Sequence, residues 1–514
     1  MGQNQPENQP EALPTQRIDL AGYWRVAGWW AVIIGTFIRF IDISRFPLWC
    51  DELASLQRTE LALGEHLAEL SARAPLFEML LRFWVEPGMT DAQLRIPWAL
   101  FGSIALWVVW RATREVAGDF VGAIAAGLIA LSPLHLMFSR ITREYSLAVM
   151  LAAISTYALW KVYSDPRRRW LVLYAISTIA ALYTTYIMCG VVLAHNIFIF
   201  WILRGEKTRL LGWLKTQGII ALVFAPWFII SIVGALRFAV GAPYAPHQAG
   251  LLAKAAYLAF AMFAGETISP LNLPAVAAAG LGFGAAGVSG LARLLKRDRR
   301  QAWFILPVVV IIYGVGLSFA AASPKHLAVM LPALIMLIAL GIAYMRPRWL
   351  RAASLLLVFG VSAYSVFNYF SGEQFADASM VTPWREMAEF IEHREHGDEL
   401  IYVGWRTKHD RFGTDKDIFA RYYEGDCELR FLSPDDWAWQ IDETVYRDGR
   451  VWLQTHRDEP WEEIKAASLE AGRKVEVFPF QKEEEILRRL REGGPREEFI
   501  TYMYRLILIE SSTD

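Results

Sequence analysis

Charge is scarce in this chain, and neither sign dominates what there is. Of 514 residues only 20% are Asp, Glu, Lys or Arg, and 51 basic against 52 acidic side chains leave a formal net charge of -1. A nucleic-acid partner needs a basic surplus to neutralise phosphates, so this balance excludes one. Cysteine is nearly absent too. Cys50, Cys189 and Cys427 lack metal-ligand spacing, so no thiolate metal centre is expected; the topology below leaves Cys50–Cys427 as a pairing, and no disulfide is expected there either. What is abundant is apolar surface. With 55% hydrophobic and 13% aromatic residues, the chain exceeds what a soluble enzyme of this length carries, and the excess belongs in lipid. The polar start, residues 1–25, reads as a disordered cytoplasmic tail. The apolar run after Arg25 is too long for a signal-peptide core and has no small-residue cleavage site, which makes it an uncleaved anchor.

Apolar runs near membrane-spanning length lie at Val26–Ile41, Leu94–Trp110, Phe120–Phe138, Tyr145–Trp160, Trp170–Tyr183, Ile187–Leu203, Gly212–Leu236, Leu273–Leu291, Trp303–Ala321, Leu327–Tyr344 and Leu350–Phe370, about eleven spans by the ~20-residue rule. Basic clusters follow alternate spans, at Arg111 and Arg114, at Lys161 with Arg167–Arg169, and at Arg204, Lys207, Arg209 and Lys215. The next cluster, Arg293–Arg300, stays on the same inner side only if the shorter run Leu251–Ala264 does not cross. That run is expected to lie on, or re-enter from, the outer surface. Arg346, Arg348 and Arg351 again fall inside, which puts the N-terminus in the cytoplasm of a bacterial inner membrane and everything after Phe370 outside.

From Ser371 the composition turns charged and soluble. A helix over Pro383–Glu395, strands at Glu399–Trp405, Leu429–Leu432, Arg450–Gln454, Lys474–Phe478 and Thr501–Ile509, and helical stretches around Phe419, Ile464 and Leu487 describe a small α/β domain over residues 371–514.

The first outer loop, residues 42–93, is too long to be a mere connection. It carries adjacent acids, Asp51 and Glu52, then two amphipathic runs, Leu53–Leu70 and Pro75–Val85, suited to the membrane surface. Acids in a first helical turn are common simply because they complement the dipole. Cations stand across from them, on the side that should be poor in cations: Arg140 and Arg143 beside Tyr145 in one loop, Lys325 and His326 in another. Such clusters suit an anion, here a lipid phosphate, although single interfacial arginines usually only anchor.

Asp51-Glu52 after the first span, Ala74-Pro75-Leu76-Phe77 later in that loop, Arg143-Glu144-Tyr145-Ser146-Leu147 opening the fourth span, Lys325-His326 followed by Pro332, and Trp384-Arg385-Glu386 opening the soluble domain resemble, in order and placement, the GT-C glycosyltransferases. Within them the branch is that of the protein O-mannosyltransferases and the lipid A aminoarabinose transferases, the family-39-like enzymes. The resemblance covers most of the chain. It implies a GT-C fold of about eleven transmembrane helices with outer juxtamembrane helices in a catalytic domain over residues 26–370. It also implies inverting transfer of a sugar from a polyprenyl-phosphate donor to the hydroxyl of a glycolipid, polysaccharide or protein acceptor at the outer face. Asp51 matches the family's catalytic aspartate, a base for the acceptor proton, with Glu52 secondary. Arg140, Arg143, Lys325 and His326 are the candidates for the donor phosphate, and Tyr145, Glu266 and Tyr183 for substrate contact. No cofactor is required by this reading, and a divalent metal is left open.

Two departures stand out. Members often have His-Pro-Pro-Leu where this chain has Arg73-Ala74-Pro75-Leu76, which removes a histidine, and Arg-Tyr where it has Lys325-His326, which keeps the cation but not a bidentate one. Asp415-Lys416-Asp417 is expected to be a solvated turn and His195 a packing residue. The competing function is a flippase of lipid-linked sugars, but such transporters carry polar groups within the spans and two related halves, neither of which is visible here. A non-catalytic scaffold presenting the soluble domain is the third possibility.

Overall fold

The computed structural model describes residues 20–239, 250–318, 323–374, 380, 382–397, 399–405, 414–432, 437–455, 461–479 and 505–511. The chain opens with α1 (Leu20–Phe40), followed by three short helices, α2 (Cys50–Glu60), α3 (Leu63–Glu69) and α4 (Leu76–Trp84). Then come α5 (Asp91–Ala117), α6 (Asp119–Ala130), α7 (Pro133–Ser139), α8 (Tyr145–Ser164), α9 (Arg168–Leu182), α10 (Met188–Ile202) and α11 (Lys207–Ala239). The second half adds α12 (Leu251–Ala264), α13 (Leu273–Ala279) joined by one π turn to α14 (Ala285–Arg297), α15 (Arg299–Ser318), α16 (Leu331–Tyr344) and α17 (Arg348–Phe370).

As far as the described residues reach, each of the apolar runs read as a span falls on a helix or on two successive helices. Seven helical segments are long and apolar enough to cross a membrane, or eight if the bent pair α6–α7 is one span, counted among the described residues. Two expectations need correction. The first helix begins at Leu20 rather than Val26, and the run Leu53–Leu70 is two helices, α2 and α3, broken at Leu61–Ala62. Leu251–Ala264 is a helix of 14 residues, short for a crossing.

The bend between α6 and α7, 60°, is written in Leu131-Ser132-Pro133: Pro133 cannot continue a helix and Ser132 recaps the new one, its side chain accepting from His135 N–H. The carbonyls freed at the end of α6 are taken by buried Arg39, whose Nη2 lies 3.1 Å from Ile129 O and 2.7 Å from His135 Nδ1. α16 is the centre of the bundle, with every residue from Leu331 to Ala343 buried. It meets α14 where small residues let backbones touch; a Cβ on Gly341 would lie 1.8 Å from Ala286 O. His195 is buried against Tyr174, with Thr156 Oγ1 3.3 Å from its Nε2, a packing position as expected.

The C-terminal domain holds α18 (Trp384–Glu392), β1 (Leu400–Trp405), α19 (Asp415–Tyr422), β2 (Glu428–Leu432), α20 (Trp437–Asp448), β3 (Arg450–Thr455), α21 (Trp461–Glu470), β4 (Lys474–Pro479) and β5 (Arg505–Glu510). The strands form one sheet of order β2-β1-β3-β5-β4, parallel across β2-β1-β3 and antiparallel where β5 joins β3 and β4. All five expected strands are present. α20 was not read from the sequence, and the stretch around Leu487 lies outside the described residues. Asp415-Lys416-Asp417 is the first turn of α19 rather than an open turn: Asp417 Oδ2 accepts from Thr414 Oγ1 at 2.6 Å, a capping box.

Candidate active site

Asp51 and Glu52 are neighbours with opposite circumstances. Glu52 is fully buried. Its Oε1 accepts Arg95 Nε at 3.0 Å and Thr142 N at 2.6 Å, and its Oε2 accepts Arg95 Nη2 at 2.7 Å and Trp49 N at 2.9 Å. Those bonds tie the start of α2 to α5 and to the turn before α8. Asp51 is half-buried, and among the described residues no hydrogen bond reaches its carboxylate. Its charge is felt by Arg73, Arg143 and Tyr145.

The cations divide in the same way. Arg140 is buried and committed to the end of α1, donating to Ile38 O, Arg39 O and Ile41 O through Nη1 and to Asp42 O through Nη2 at 2.6 Å, with its face against Phe370. It caps a helix, where the sequence suggested a phosphate ligand. Arg143 donates through Nη1 to Asp51 O at 3.2 Å and Ser55 Oγ at 2.8 Å, and its Nε lies 3.2 Å from Glu144. Burial works against its charge, yet Glu144, Tyr145, Asp51 and Glu78 hold its pKa above the ordinary value. Lys325 approaches the start of α2 from the turn before α16, its Nζ 5.3 Å from the centre of the Trp49 ring. His326, half-buried beside it, senses Lys325 and Glu144. Tyr145 is buried under Arg143, 5.9 Å from ring centre to guanidinium carbon.

Sequence reasoning missed Arg73 as a member of the site. Its side chain is enclosed by protein yet reached by solvent; burial, then the charges of Arg58 and Arg143, push its pKa below the ordinary arginine value, against Glu78 and Asp51. Its own carbonyl is held by Tyr186 Oη at 2.6 Å and Trp227 Nε1 at 3.0 Å. Tyr183, proposed to touch substrate, fixes the same loop: its carbonyl accepts Leu76 N at 2.8 Å and its hydroxyl donates to Val223 O. The signal for Arg73 was its place at the departure from His-Pro-Pro-Leu. Behind it, Glu78 gathers Arg58 at 2.6 Å, Ser55 at 3.2 Å and His66 at 3.4 Å. Burial would raise the Glu78 pKa, but the His66 hydrogen bond and the Arg58 charge outweigh it and hold it low.

Glu266 stands apart, accepting from Tyr257 Oη at 2.8 Å, and no contact joins it to Asp51 among the described residues. Nor does any group of three or more His, Cys, Asp and Glu side chains there converge in a metal-holding arrangement. Asp51 thus shares its electrostatic surroundings with Arg73 and Arg143, and Lys325 approaches the start of α2 at Trp49, the side chains coming from α2, the loop after α3, the turn before α8 and the turn before α16.

Residues 72–230 match the family model described as dolichyl-phosphate-mannose-protein mannosyltransferase. In fold the chain is similar to ArnT from Cupriavidus metallidurans in the apo state, with a TM-score of 0.53 and 12% identity over 94% of this chain and 98% of that one. It is similar also to the same protein bound to undecaprenyl phosphate, with a TM-score of 0.51 and 11% identity over 95% and 99%. No curated protein matches in sequence. The chain has the GT-C fold that its motifs resemble, a multi-pass helical bundle carrying a small C-terminal α/β domain.

Proposed function

We propose that this chain is an inverting glycosyltransferase that moves a sugar from a polyprenyl-phosphate carrier to an acceptor hydroxyl at the outer face of the inner membrane. The observation that carries the reading is Asp51: a half-buried carboxylate without a hydrogen-bond partner among the described residues, set among cations. The match over residues 72–230, which takes in Arg73, Arg143 and Tyr145, supports it, as does the undecaprenyl phosphate held by a protein of the same fold.

In the proposed step the acceptor oxygen attacks the anomeric carbon as Asp51 takes its proton, the bond from that carbon to the phosphate oxygen breaks, and polyprenyl phosphate leaves. Its growing charge is met by Arg73 and Lys325, with His326 beside them. Arg143, fixed by Ser55 and the Asp51 carbonyl, adds positive field without moving. Arg140 and Glu52 act by holding this frame. A bent span such as α6–α7 is a transporter-like feature, but Arg39 takes its freed carbonyls, so no cargo is needed to satisfy them.

The test is sugar transfer from a panel of polyprenyl-phosphate sugars to membrane acceptors by purified protein, beside Asp51→Asn and with and without chelator. Transfer that persists in Asp51→Asn removes the base assignment, and scrambling of lipid-linked sugar without transfer favours the flippase.

A further inference from the structure

The soluble domain grips the backbone that leads into Asp51. Asp91, the first residue of α5, is buried and receives its side-chain hydrogen bonds from that domain. Arg385 Nη2 donates to Oδ2 at 2.5 Å, Arg421 Nε and Nη2 to Oδ1 at 3.1 and 2.9 Å, and Tyr422 Oη to Oδ2 at 2.8 Å. The Tyr422 oxygen in turn accepts the N–H of Leu48 at 2.6 Å. Arg385 reaches Ser44 O through its other nitrogen at 2.9 Å, and Arg421 Nη2 also reaches Met89 O at 3.1 Å. On the other side of the same segment, Arg95 donates to Ile43 O, Phe46 O and Pro47 O before closing on Glu52. Residues 43–48 are thus held between two sets of hydrogen-bonding side chains, one of them belonging to a different domain.

A domain that merely needed attachment had exposed helix ends and linkers to use. Here its buried contact is spent on Ser44 and Leu48, in the segment before α2, and on the acid one turn before Arg95, and both routes converge on the helix whose first turn contains Asp51. We propose that Asp91, Tyr422 and Arg385 are positioning residues for the transfer step: the docked soluble domain fixes where α2 begins, and with it the direction of the Asp51 carboxylate. This rests on Asp51 being the base. It makes turnover depend on domain docking, while donor binding, which uses Arg73 and Lys325, does not.

The mild variant is Tyr422→Phe, which keeps the ring against Arg385 and removes only the hydroxyl that joins Leu48 to Asp91. In full-length protein, with a donor the wild type uses, kcat should fall about tenfold, because a displaced base loses its near-attack geometry, while the donor KM stays at the wild-type value and the thermal midpoint falls only modestly, the cost of leaving the Leu48 N–H unpaired. Cys50, the half-buried thiol beside Asp51, should react faster with a maleimide, read peptide by peptide in a mass spectrometer. Arg385→Lys, which keeps a cation on Asp91 and releases Ser44, should shift kcat and labelling the same way. Unchanged kcat and unchanged Cys50 labelling in an active preparation overturn the proposal, as does a loss confined to KM or accompanied by unfolding in both variants. If the wild type transfers no sugar, the glycosyltransferase reading fails by itself, and Cys50 labelling still decides whether the domain holds α2.

Discussion

Exchanging the two adjacent acids separately should give opposite phenotypes. In Glu52→Gln the amide keeps one oxygen, but each Glu52 oxygen now serves one backbone N–H and one Arg95 nitrogen. Whichever way the amide sits, its NH2 faces a backbone donor and an arginine donor, and Arg95 becomes a buried cation without a counter-charge. Breaking a buried pair in this way costs about 3–5 kcal/mol, enough to lower the thermal midpoint in detergent markedly and to cut the monodisperse yield. Asp51→Asn breaks no hydrogen bond of the carboxylate, so stability should hold within about 0.5 kcal/mol, while turnover falls by roughly 10²–10⁴ with loss of the base. Fluorescence-detected gel filtration after a temperature series, run beside the transfer assay, measures both. A Glu52→Gln protein as stable as wild type, or an Asp51→Asn protein near full turnover, would refute the division of labour between them.

Arg73→Ala should raise the donor KM by roughly 10- to 100-fold, the loss of one charge-assisted hydrogen bond, with the thermal midpoint unchanged; Arg140→Ala should instead destabilise, since it uncaps α1, and the two are told apart by kinetics against melting. Glu78 has a pKa below its ordinary value, so the stability it contributes is complete above about pH 4.5 and fades as pH falls through its lower folded value; thermal midpoints of wild type and Glu78→Gln measured from pH 7 downward should differ most near neutrality and converge in acid. Gly341→Ala should abolish folded protein, because the added carbon meets Ala286 O in the backbone of α14; normal gel-filtration behaviour would refute that packing.

Hydropathy and period made the helices and the five strands legible, because burial in lipid or in a sheet leaves its mark residue by residue along the chain. Asp51 was legible by its place after the first span. Partnerships were not. Glu52 reads like Asp51 until Arg95, 43 positions on, is brought to it, and Arg140 looks like a phosphate ligand until the end of α1, about a hundred residues back, fills its donors. Arg73 carried a faint signal as a departure from the family pattern, but its exposure in an enclosed place depends on α11 and the turn after α9 closing over the loop. The break between α2 and α3 at Leu61–Ala62 has no glycine or proline to announce it, and the apolar stripe of α20, Trp437, Ile441 and Val445, is too brief to stand out between two strands.

The burial of α16 bears on how the protein is made. A helix with no face left for lipid can complete the bundle only after α5, α6, α8, α14 and α15 have gathered around its place, and it is the second-last long helix to leave the ribosome. Until then its groove, with Gly290 of α14 on its wall, stands open inside the bilayer. Assembly is therefore late and all at once, and a chain stalled before Leu331 should be a substrate for membrane quality control rather than a partly working enzyme.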